Sequence, residues 1–116
     1  MSSIPERTFN FALEIIKLHQ LLEPHAGAAR IVSSQLLRSG TSIGANVEEA
    51  HGSFSKPDFT YKYSIACKEA RETLYWLKLL NASGICNQTI DALILECNEI
   101  IAILTTSVKK LKESHD

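Results

Sequence analysis

The segment Leu36-Leu37-Arg38-Ser39-Gly40-Thr41-Ser42-Ile43-Gly44-Ala45-Asn46-Val47-Glu48-Glu49-Ala50-His51-Gly52 combines a helical apolar rhythm with an excess of glycine, serine, threonine and alanine. Inside a helix, Gly40 and Gly44 each cost about 1 kcal/mol relative to alanine. Close approach of another helix is one compensation for that loss. A kink near Ser39-Gly40 is the other reading. The first reading restricts the chain to a tightly packed helical assembly.

The rest of the chain supplies three more helices, and the four are expected at about 5–22, 28–51, 56–81 and 88–112. Ser3-Ile4-Pro5-Glu6 reads as a capping box with an early proline. In the first helix Phe9, Leu13, Ile16 and Gln20 share one face, and Phe11, Ile15, Leu18 and Leu22 form a second apolar stripe. A surface helix of a monomer needs only one stripe. Two stripes predict burial on two sides, once in the core and once against a neighbouring subunit; a single wide core face is the alternative. The contact between subunits is assigned to Phe11, Ile15 and Leu18, together with Gly40, Gly44 and Trp76.

Glu23-Pro24-His25-Ala26-Gly27 breaks the first helix. Val32, Leu36, Ile43, Val47, Ala50 and Phe54 mark the apolar side of the second. Ser55 caps the third, with Asp58 in its first turn. Phe59, Tyr63, Ala66, Ala70, Leu74, Leu77 and Asn81 follow a bundle seam, which Ala82-Ser83-Gly84 ends. Ile90, Leu93, Ile94, Cys97, Ile101, Leu104, Val108 and Leu111 line the fourth helix, with Asn87 as a candidate cap. Lys109, Lys110 and Lys112 in its last turn complement the helix dipole. Short loops favour antiparallel neighbours, so the expected fold is an all-α, up-down-up-down four-helix bundle in one domain.

Length and composition fit that reading: 116 residues, 45% of them hydrophobic, suffice for one core. The net charge of −1 argues against a strongly basic nucleic-acid-binding domain, though a local basic face is compatible with it. Cys67, Cys86 and Cys97 form no CxxC pair, so neither a disulfide framework nor a zinc knuckle is expected. The N-terminus has no apolar signal-peptide core, and no apolar run is long enough to span a membrane. A cytoplasmic protein with free thiols is therefore expected.

Chemistry is sparse. Glu48-Glu49-Ala50-His51 holds a Glu-x-x-His, but a di-metal bundle needs two such motifs and further carboxylates. His19, His25, His51 and His115 fall at helix ends, in loops or in the tail, with no nucleophile motif beside them. No catalytic residue, metal ligand or cofactor is expected. A polar line remains on the second helix: Arg38, Ser42, Asn46 and Glu49 share a face beside the apolar stripe. It reads either as solvated surface or as a network in which Arg38 and Asn46 pair with Glu69 and Glu72 of the third helix or with a neighbouring subunit. Lys68 and Glu72 are spaced as an i,i+4 pair.

Arg38-Ser39-Gly40-Thr41-Ser42-Ile43-Gly44-Ala45-Asn46-Val47-Glu48-Glu49-Ala50 resembles the signature R-S-x-x-S-I-x-A-N-I-x-E-G. That signature belongs to four-helix-bundle proteins encoded in intervening sequences of bacterial large-subunit ribosomal RNA genes. Arg7-Thr8-Phe9-Asn10-Phe11-Ala12 and Lys56-Pro57-Asp58-Phe59 through Ala70-x-Glu72 also look like that family, while Ala50 stands where it often has glycine. The family is similar to the accessory protein of diversity-generating retroelements. The resemblance implies a homopentameric barrel and, for the accessory protein, binding to a reverse transcriptase and to nucleic acid.

Two functional classes follow. The first is a non-enzymatic homo-oligomer acting as a scaffold or adaptor for a protein partner. The second is a nucleic-acid-binding oligomer that repeats a modest basic face, with Arg30, Lys56, Lys62, Lys68, Arg71 and Lys78 as candidate contacts. A metal protein built on Glu48 and His51 ranks last.

Overall fold

A computed structural model describes residues 2–86 and 90–114. They form four helices: α1 (Ile4–Leu22), α2 (Ala28–His51), α3 (Lys56–Ser83) and α4 (Asp91–Glu113). Among the described residues there is no strand. Asn87, Gln88, Thr89 and His115 lie outside them, so the expected cap and first residue of the fourth helix do too.

The helix ends follow local chemistry. Ser3 Oγ accepts from the Glu6 backbone N–H at 3.3 Å, and Ser55 Oγ accepts from that of Asp58 at 3.2 Å. Each satisfies an amide that the first turn leaves without a helical partner. α3 runs past Asn81 and stops at Gly84, whose φ of 72° is a left-handed C-cap conformation open to glycine.

One core joins all four helices. Phe11, Ile15, Leu36, Ile43, Leu77, Leu80, Ile100 and Leu104 are among its largest fully or nearly fully buried side chains. Contacts between consecutive helices run in reversed chain order. Thr8 faces Gly44, Ile15 faces Gly40, and His19 Nδ1 lies 2.7 Å from Ser33 Oγ. In α3 and α4, Cys97 Sγ donates to the Ala70 carbonyl at 3.3 Å, and Cys67 Sγ lies 3.3 Å from Thr105 Oγ1.

The small residues of α2 meet α1 of the same chain. A Cβ on Gly40 would lie 2.9 Å from Ile15 Cγ1 and Cγ2, and one on Gly44 would lie 3.3 Å from the Thr8 backbone. Close helix approach thus accounts for both glycines. This corrects their assignment to a contact between subunits. Phe11, Ile15 and Leu18 need the same correction: only 2%, 0% and 6% exposed, they are core residues of a single chain. The glycines draw α1 onto α2 by that stripe and turn Phe9, Leu13 and Ile16 outward. Phe54, expected on the apolar side of the second helix, falls beyond its end and is fully exposed.

Candidate interaction surfaces

Three surfaces gather the chain's chemistry. The first is the α2–α3 seam. Arg38 pairs with both Glu69, at 3.2 Å, and Glu72. Glu72 Oε2 also accepts from Trp76 Nε1 at 3.0 Å. Beneath them Thr73 Oγ1 lies 2.9 Å from Ser39 Oγ and 2.8 Å from the Glu69 carbonyl oxygen. Both hydroxyls are fully buried, so their pairing removes a desolvation cost of about 1–3 kcal/mol per orphaned group. Ser42 Oγ donates to the Arg38 carbonyl and Asn46 Nδ2 to the Ser42 carbonyl, so these two hold their own helix. Glu49 closes the line with Lys62 at 2.6 Å. Glu49 as hydrogen-bond partner raises the Lys62 pKa.

The α2–α3 turn places His51 Nε2 2.8 Å from Tyr63 Oη, with Phe59 packed edge-on to the imidazole. Burial raises the Tyr63 pKa. Glu48 turns to the α1 side, so it and His51 do not share a site. Among the described residues no group of three or more His, Cys, Asp or Glu side chains could hold a metal ion. No helix of the described residues is long and apolar enough to cross a membrane.

The second surface is on α1. Phe9, Leu13 and Ile16 are 63%, 43% and 37% exposed. With Pro5, Thr41 and Ala45 they line a groove between α1 and α2. On the α4 side of α1, Arg7 donates to Glu96 at 2.6 and 3.0 Å and to Glu99 at 3.3 Å. These bonds raise the Arg7 pKa, with the Glu96 hydrogen bond as the largest cause.

The third surface lies between α3 and α4. Three depressions adjoin here as a groove: Ser64 and Lys112 line both the first and the second, and Arg71 lines both the second and the third. Lys56, Lys68, Arg71 and Lys78 line it, four of the six candidate nucleic-acid contacts expected from the sequence. The other two candidates lie elsewhere, Arg30 paired with Glu23 and Lys62 with Glu49.

The sequence matches the 23S rRNA-intervening sequence protein family over residues 2–106. The chain belongs to that family. A crystal structure of a protein of unknown function from the S23 ribosomal protein family of Bacteroides thetaiotaomicron is similar to it, at 36% identity with a TM-score of 0.83. The match covers 92% of this chain and 99% of that one. No curated protein matches.

In this member of the 23S rRNA-intervening sequence protein family, the signature segment on α2 works inside the chain. Ser39, Gly40, Ile43 and Val47 are buried, while Arg38 ties the helix to α3. Trp76 is half-buried against the core and bonded to Glu72. The expected Lys68–Glu72 pair does not form among the described residues. Arg38 and Trp76 hold the Glu72 carboxylate, and Lys68 turns to the groove instead. Tyr61, Tyr75 and Lys112 also line the groove, and sequence reasoning singles out neither Tyr61 nor Lys112 as a site residue. Their signal is present in the spacing of Tyr61, Lys68, Arg71, Tyr75 and Lys78 along one helical face.

Proposed function

We propose that the protein is a non-enzymatic, self-associating scaffold. Its protomer is an antiparallel up-down-up-down bundle, and its copies join through the outward face of α1. The reversed contact order of consecutive helices supports that arrangement. The observation that carries the proposal is the exposed row of Phe9, Leu13 and Ile16 beside the small residues of α2. Each such side chain gains about 1.5–3 kcal/mol on full burial. A ridge on one protomer that meets a different patch on the next makes a head-to-tail contact, which closes into a ring when the rotation allows. Five copies is the count implied by the family resemblance.

In this reading the ring displays repeated copies of the remaining surfaces to a protein partner. Cys67 and Cys97 are free thiols, which suits the reducing cytoplasm. Light scattering across micromolar concentrations tests the proposal. A particle several times heavier than the 12.9 kDa chain is expected, and a monomer throughout would overturn it.

A further inference from the structure

The chain's cations divide by surface. Arg7, Lys17, Arg30, Arg38 and Lys62 are each in an ion pair. Lys68, Arg71, Lys78, Lys109, Lys110 and Lys112 have no ion-pair partner among the described residues, and all of them are on α3 or α4. The overall charge of −1 conceals this separation. Arg38 is part of its cause. It engages Glu69 and Glu72 at the α2–α3 seam, the carboxylates that follow Lys68 and Arg71 in the chain.

Four of those cations, Lys68, Arg71, Lys78 and Lys112, line the groove between α3 and α4. Its α3 wall is the row Tyr61, Ser64, Lys68, Arg71, Tyr75 and Lys78, spaced 3-4-3-4-3 and so aligned on one face. Its α4 wall is Asn98, Ile101, Thr105, Val108 and Lys112, with the same alternation. Neither wall includes an acidic residue among those described. From Tyr61 to Lys78 the row covers about 25 Å of helix. Tyr61 and Tyr75 are 64% and 58% exposed, so each presents ring surface to a ligand.

We propose that this groove binds single-stranded RNA. Cations at Lys68, Arg71, Lys78 and Lys112 neutralise phosphates, and Tyr61 and Tyr75 stack bases between them. Aromatic rings interleaved with cations along a groove are what an unpaired strand needs, because its bases are free to stack. A duplex keeps its bases inside and leaves the tyrosines without a role. Asn98 and Thr105 add neutral hydrogen-bonding groups for the 2′-hydroxyl, which DNA lacks. An acidic protein would satisfy the cations alone. The groove belongs to one chain, so its binding does not depend on self-association.

Fluorescence anisotropy of the full chain with labelled oligouridine tests the proposal, with the protein's mass measured in the same buffers. Binding should weaken as salt rises from about 50 to 200 mM. K68E/R71E should lose at least tenfold in affinity. Its slope of log affinity against log salt should fall by roughly 1.4, about 0.7 for each phosphate no longer neutralised. Y61A/Y75A should lose about tenfold or more with the salt slope unchanged. K17E/R30E, which reverses two cations away from the groove, should bind as wild type does. Circular dichroism establishes that each variant is folded. Oligothymidine, duplex RNA and anionic phospholipid vesicles should all bind more weakly than oligouridine. The proposal is overturned if oligouridine does not bind, if any of those three binds as tightly, or if folded K68E/R71E matches wild type.

Discussion

Gly40 lies so close to Ile15 that a Cβ on the glycine would sit 2.9 Å from both γ carbons of the isoleucine. That contact sets how near α1 comes to α2. Ile15 is fully buried and cannot swing into solvent. Gly40→Ala gains about 1 kcal/mol of helix propensity but incurs about 1–3 kcal/mol of overpacking. We predict a net destabilisation of up to about 2 kcal/mol, read by urea denaturation. Ile15→Val keeps both γ carbons and should not rescue the variant. Ile15→Ala removes them, so I15A/G40A should cost less than the two single changes added together.

Arg38 joins α2 to α3 through Glu69 and Glu72 while remaining half-exposed. Exposed ion pairs contribute little, and the more buried Glu69 raises the value here. Arg38→Ala should therefore cost about 1 kcal/mol and lower the melting temperature by a few degrees. It also frees Glu72, whose carboxylate holds the Trp76 indole. Trp76 is the chain's one tryptophan, so its emission reports the change directly. We expect a shift to longer wavelength in R38A that R38K, which keeps the charge, shows to a smaller degree.

Cys97 gives the fold a pH limit. Burial, and secondarily the nearby Glu96 charge, push its thiol from 9.0 up to about 12. The folded chain therefore holds this proton more tightly than the unfolded chain does. That stabilisation is complete below pH 9 and is lost as the pH rises toward 12. Melting temperature should fall through this window. Cys97→Ala should start lower, by about 1 kcal/mol of lost packing, and fall less steeply. Above pH 10 the raised Tyr63 adds a decline of the same sign.

Much of the fold was legible because apolar spacing reports a helix face without knowledge of its neighbour. Ile43, Val47, Ala66, Ala70, Leu77, Cys97 and Leu104 were all expected on seams, and all are buried. Spacing could not tell which stripe of α1 turns inward. Phe9-Leu13-Ile16 and Phe11-Ile15-Leu18 are equally periodic, and only the seating of Ile15 on Gly40 and Thr8 on Gly44 selects the second. Competition for Glu72 was hidden for a similar reason. Lys68 is its i,i+4 neighbour in sequence, but Arg38 reaches it from another helix and is joined there by Trp76. The α3–α4 groove was half legible. Its cations drew attention singly, whereas the absence of acids from both walls depends on how the two helices pack.

The outward face of α1 is the central claim, and sedimentation velocity of wild type beside F9D/L13D tests it most directly. Both side chains are exposed in the single chain, so the substitutions should leave the bundle folded by circular dichroism. The account predicts an oligomer for wild type and a folded monomer for the variant at the same concentration. A wild-type monomer, or a folded variant that keeps the wild-type mass, would contradict it.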